Sequence, residues 1–228
     1  MDKEKVYHDL VDKRKHCKMC NGLCNPSSGQ CAKFDSSQIG PWSLWQANLN
    51  SRIVIVGQDW GDVSYFTKWH GKDQPSGNPT NENLQELLLE IGIKIEKPQD
   101  YQEHRVFLTN LVLCLKSGGL QAPIDDQWLK NCSQYFFKPL ISLIEPKIII
   151  CLGQKTSESI LNIYRVSYSK GKFADMLAHS PFRLPNSTFL FPVYHCGAGS
   201  VNRNRNMLQQ KNDWQRINRW IQKNEINL

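Results

Sequence analysis

The chain has 228 residues, of which 40% are hydrophobic and 10% aromatic, and carries a formal charge of +7 from 28 basic against 21 acidic side chains. That length buries one large core and is short for two independent domains, so one domain spanning 1–228 is expected. No apolar run approaches the roughly 20 residues that cross a bilayer, which excludes a spanning segment and a membrane partner, and no long biased tract or repeat period is present.

The first stretch, "MDKEKVYHDLVDKRKH", reads as a charged helix and lacks the apolar block of a secretory signal, so a cytoplasmic location is expected. Thiols stay reduced there, and the eight cysteines read as metal ligands or packing residues rather than disulfides. The next stretch, "CKMCNGLCNPSSGQCAKF", reads as a loop because Cys, Gly, Pro and Ser dominate it. Four short apolar runs then read as buried strands: residues 52–57, 106–113, 147–153 and 189–195.

Helical patterns separate these runs. Leu84, Leu87, Leu88 and Ile91 share a face after Thr80; Trp128, Cys132, Phe136 and Leu140 recur at steps of four; Trp214, Ile217 and Ile221 mark a last helix. Strands alternating with helices imply crossovers, and hence an α/β fold: a three-layer α/β/α sandwich around a mostly parallel, four-stranded sheet. Ligands bind such sheets beyond the carboxyl ends of the strands. The polar breaks lie there: Gln58, Asp59 and Asp62 after the first run, Asn110 within the second, and His195 after the fourth.

These residues resemble the uracil-DNA glycosylase superfamily from about Cys17 to Arg205. "IVIVGQDWG" is similar to its first motif, written GEAPG in the iron-sulfur (family 4) branch and GQDPY in family 1. "FLTNLVLC" resembles the iron-sulfur branch's strand with its asparagine and cluster cysteine, and "CSQYFFKPLISLIEPKIIICLG" its cysteine-bearing helix, proline and strand. "VYHCGAGSVNR" sits where the histidine motif, HPS or HPA, falls. The resemblance implies a DNA glycosylase that flips a base out of DNA and hydrolyses its N-glycosidic bond, with uracil or a related deaminated base as substrate. DNA is the implied partner, and a monomer is expected.

In that resemblance Asp59 is the catalytic carboxylate, with Asp62 as runner-up in the same loop, and His195 donates to the base oxygen that gains charge. Gln58 and Asn110 read the base edge, and Phe66 or Tyr65 supplies the stacking face. Ser200, Asn202, Arg203 and Arg205, in "GSVNRNR", contact DNA. Cys17, Cys20, Cys114 and Cys132 follow the iron-sulfur layout and imply a [4Fe-4S] cluster joining the segment 17–31 to the core. Structural zinc accepts the same donors. A local site of Cys17, Cys20, Cys24 and Cys31 competes, and Cys151 reads as packing.

The chain also departs from both patterns. Trp60 replaces the motif's proline, Gly61 stands where family 1 has a tyrosine that closes the pocket, and "HCG" loses the proline that stiffens the loop after His195. A wider pocket taking a bulkier modified base, or a non-catalytic nucleic-acid-binding module, are the alternative readings.

Overall fold

The computed structural model describes residues 2–40, 48–72, 77–95, 106–203 and 205–226, with only the backbone of Ser200 and Asn202. Helix α1 (Lys3–Lys15) starts at Asp2, whose carboxylate accepts the backbone N–H groups of Glu4 and Lys5. The two-residue strand β1 (Leu23–Cys24) follows, then β2 (Ile53–Asp59), α2 (Val63–Lys68) and α3 (Pro79–Leu89). Strands β3 (Val106–Val112) and β4 (Leu115–Lys116) precede α4 (Asp126–Cys132) and α5 (Lys138–Ile144). After β5 (Ile148–Leu152) come α6 (Gln154–Ile163), α7 (Phe173–Ala178), β6 (Phe182–Arg183), β7 (Phe189–Val193), α8 (Ala198–Arg203) and α9 (Met207–Lys223).

The main sheet runs β3-β2-β5-β7-β6. Its first four strands are mutually parallel and β6 is antiparallel to β7. Alternation within the strands builds the layers. Ile53 and Ile55 of β2, with Ile148 and Ile150 of β5, face Leu84, Leu87 and Leu88 of α3 and Trp214, Ile217 and Ile221 of α9. Val54 and Val56, with Ile149 and Cys151, face the opposite side, where Tyr7 and Leu10 of α1 meet Leu140 and Ile141 of α5 and Ile160 of α6. Strands buried on both faces need no polar alternation, which is why they read as continuous apolar runs.

The architecture matches the expected α/β/α sandwich, with five strands in place of four. The added β6 is a two-residue edge strand, too short to leave a period in the sequence. Helix α3 starts one residue before Thr80, because the Asn78 side chain accepts the N–H groups of Thr80 and Asn81 and Pro79 fits the first helical position. The helix read through Trp128, Cys132, Phe136 and Leu140 is interrupted by a π-turn, Ser133–Phe137, between α4 and α5. The first part of the "GSVNRNR" stretch, through Arg203, lies in α8. Cys151 is fully buried packing. Among the described residues no helix is long and apolar enough to cross a membrane.

The cysteine-rich segment is more ordered than a loop. Leu23 and Cys24 pair antiparallel with Lys116 and Leu115. The Asn25 amide donates to the carbonyls of Arg14, Lys15 and Cys17 and so closes the end of α1. Buried Arg14 holds Asp35 through both carboxylate oxygens, at 2.9 and 2.7 Å. Both contacts come from Nη1, while Nη2 donates to the Ser36 and Gln38 carbonyls, so the guanidinium ties three points of the segment together.

Candidate active site

From adjacent β2 and β5 the chain departs in opposite directions, to β3 on one side and β7 on the other. That topology opens a crevice at the carboxyl ends of the strands. Asp59 ends β2, and Asn110 pairs across with Gly57. The fit is close: a Cβ on Gly57 would lie 1.9 Å from the Asn110 Oδ1, so only glycine leaves room for the carboxamide. Asn110 is half-buried, and its carboxamide has no hydrogen-bond partner among the described residues.

One oxygen of Asp59 is fully committed. Oδ1 accepts the Gly61 N–H at 2.9 Å and lies 3.2 Å from the Lys116 ammonium. The other, Oδ2, meets only the Gln58 amide among the described residues, at 3.4 Å. Lys116 is 5% exposed and Asp59 13%, so this is a buried ion pair that little water screens. Lys116 gave no signal in the sequence beyond a lone cation ending the apolar "NLVLCLK", and nothing in the sequence tells that it folds back onto β2.

His195 follows β7. The Gly197 N–H donates to its Nδ1 at 2.9 Å, so the neutral ring carries its proton on Nε2. Much of the residue faces solvent, yet protein crowds the ring enough that desolvation lowers its pKa below the usual 6.5, against an upward pull from the Asp59 charge. The Asp59 interaction also places the two side chains at one site. The loop lost its proline, but buried Cys196 anchors it: its carbonyl accepts from the Asn83 amide at 2.6 Å, and its thiol donates to the Thr80 carbonyl at 3.5 Å.

Several candidates have other occupations. Asp62 is buried and caps α2, accepting the Tyr65 N–H at 2.8 Å. Phe66 is 0% exposed in the core, which corrects its reading as a stacking face, since it has no free ring face to offer a base. Tyr65 is half-buried. Arg205 already has partners within the fold: its fork closes on Asp213, at 2.5 and 2.8 Å, and its guanidinium sits over the Tyr194 ring. Arg203 is exposed on α8, its Nε donating to the Gly199 carbonyl. The side chains of Ser200 and Asn202 lie outside the described residues.

Cys17, Cys20, Cys114 and Cys132 line one cavity of about 280 Å³, together with Arg14, Lys15 and Lys18. Burial first, then the neighbouring Cys132, Cys17 and Cys20, push the Cys114 thiol above its ordinary value; burial likewise pushes Cys132 up to about 12. The four sulfurs are thus close enough to oppose one another's ionisation. Cys24 and Cys31 stand apart from that lining; burial first, then the neighbouring Cys24, pushes the Cys31 thiol up to about 11. Among the described residues no three His, Cys, Asp or Glu side chains converge tightly enough for a single metal ion.

Asp59, an asparagine with no hydrogen-bond partner among the described residues, and His195 stand at the carboxyl end of this α/β sheet. The chain matches the family described as the uracil DNA glycosylase superfamily over residues 44–222, and it belongs to that superfamily. Its general function is therefore of the DNA glycosylase type, exercised on DNA. A search of curated proteins finds no match.

Proposed function

We propose that the chain excises uracil, or a related deaminated base, by hydrolysing its N-glycosidic bond after the nucleotide is flipped out of the DNA stack. The observation that carries this reading is the half-buried Asn110 carboxamide at the carboxyl end of the sheet, with no hydrogen-bond partner among the described residues. A carboxamide offers one donor face and one acceptor face, the complement of a pyrimidine edge. Gln58 precedes Asp59 on β2 and its amide reaches the Asp59 Oδ2, and Tyr65 is less buried than Phe66.

Asp59 is the carboxylate of the reaction. Lys116 and the Gly61 N–H hold Oδ1, which leaves Oδ2 to position water or face the positive charge that builds on the sugar. His195 donates from Nε2 to the oxygen of the departing base as it becomes an anion. Arg203, on the helix after His195, is the side chain placed to meet a phosphate; Ser200 and Asn202 join it in this reading.

The test is a duplex carrying one labelled uracil, treated with alkali after incubation. Strand scission at the uracil supports the reading. Scission only at bulkier modified bases supports a glycosylase of different choice, and binding without scission a non-catalytic module.

The histidine also predicts a pH dependence. Because its pKa is lowered, the ring stays neutral through the neutral range and takes a second proton only below pH 6.5. Protonation puts a hydrogen on Nδ1 that confronts the Gly197 N–H. The acid limb of kcat/KM is expected below pH 6.5, and His195→Gln, which donates without titrating, is expected to lack it.

We further propose that Cys17, Cys20, Cys114 and Cys132 hold a [4Fe-4S] cluster, as in the iron-sulfur branch. Tetrahedral zinc needs four sulfurs within about 2.3 Å of one point, whereas a cubane spreads its ligand sulfurs around a larger body. The four thiols line one cavity, and Lys15 and Lys18 around it suit an anionic group. Its contribution is folding energy, tying the N-terminal segment to β3 and α4.

A further inference from the structure

Leu120 is a large apolar side chain left 49% exposed, and it stands beside the carboxylate loop. It lies four residues beyond Lys116, on a turn that only glycines serve easily: Gly118 and Gly119 have φ of +88° and +92°. The Ala122 N–H closes that turn on the Gly119 carbonyl at 3.0 Å. Across from it, a Cβ on Gly61 would come within 3.0 Å of the Leu120 Cδ2. Gly61 in turn gives its N–H to Asp59 and accepts the Lys116 N–H at 3.2 Å. The leucine therefore rests on the same backbone that orients Asp59, and it occupies the space that a side chain at position 61 would take.

We propose that Leu120 sets the size of the base admitted beside Asp59, and this rests on the glycosylase reading above. The glycine at 61 does not leave the site open; it cedes that space to a leucine from the opposite loop. A single unsubstituted pyrimidine ring meets a branched aliphatic wall, and a base with a ring substituent or a second ring must displace it. The substrate class is then a small one-ring base such as uracil, and the width expected from Gly61 alone is not realised.

The test compares single-turnover excision of uracil, 5-hydroxymethyluracil and hypoxanthine in one duplex context by the native chain, L120A and L120W. Pocket contacts of this size discriminate about 10-fold or more. The rates for the two larger bases relative to uracil are expected to rise at least about 10-fold in L120A and to fall in L120W. Unchanged ratios in all three proteins, with uracil still excised, overturn the role of Leu120 and leave the glycosylase reading standing. A uniform loss across the three bases in both variants, at unchanged melting temperature, also overturns it, assigning the leucine to gripping DNA. No excision of any base by the native chain overturns the reading beneath, and this inference with it.

Discussion

Asp59→Asn is expected to lower excision about 10³-fold, the scale seen when one preorganised electrostatic group is removed and equivalent to about 4 kcal/mol of barrier. Asparagine keeps an oxygen at Oδ1 for the Gly61 N–H and the Lys116 ammonium, so the loop keeps its hydrogen bonds. What it loses is the charge that offsets the developing sugar cation. DNA affinity, carried by phosphate contacts elsewhere, is expected to stay within a few fold. The fold must be watched in the same experiment, because deleting one partner of a buried ion pair costs about 3–5 kcal/mol. Asparagine retains the acceptor, so its cost falls below that range, and a melting curve measures it. Asp62→Asn is the control. Asparagine caps helices as well as aspartate does, and Asp62 is occupied with the Tyr65 N–H, so excision is expected to change only a few fold. The reverse pattern, with Asp62→Asn inactive and Asp59→Asn active, assigns the chemistry to Asp62.

The parts of this site that were legible in the sequence are those set by local pattern. Runs such as "RIVIVG" and "KIIICLG" announce buried parallel strands because both faces are covered, and polar residues at their carboxyl ends are conspicuous by contrast. Asp59, Asn110 and His195 stand out in the sequence for that reason. Lys116 and Leu120 do not. Their positions depend on how β4 docks against β1 and on two left-handed glycines, and a bridge across the chain leaves no periodicity. Phe66 failed as a stacking residue for a related reason. Its short helix, capped by Asp62, turns residue 66 to the core and residue 65 toward the edge, and a six-residue helix is too brief to show which face is apolar. Arg205 looked free because its partner Asp213 sits in the following helix, where charge counts as ordinary surface.

The cysteines make the second large prediction. Protein purified without oxygen is expected to be brown and to hold iron, and Cys114→Ser is expected to be colourless and iron-poor. Stability should fall with the metal, since its binding energy is folding energy; each kcal/mol lost lowers the melting midpoint of a chain this size by about 2–4 °C. The loss is expected to be regional. Arg14–Asp35, the Asn25 amide and the β1–β4 pairing still hold much of the segment without a metal, and β2 and β5 lie on the other side of extensive packing. Hydrogen exchange should therefore quicken around residues 17–24 and 114–116 while the central strands keep their protection. Excision is expected to fall as well, because Lys116 follows Cys114 by two residues and its ammonium orients Asp59. A colourless native protein that carries zinc and no iron removes the cluster from this account, while the regional exchange pattern still tests whether the four thiols tie the N-terminal segment to the carboxylate loop.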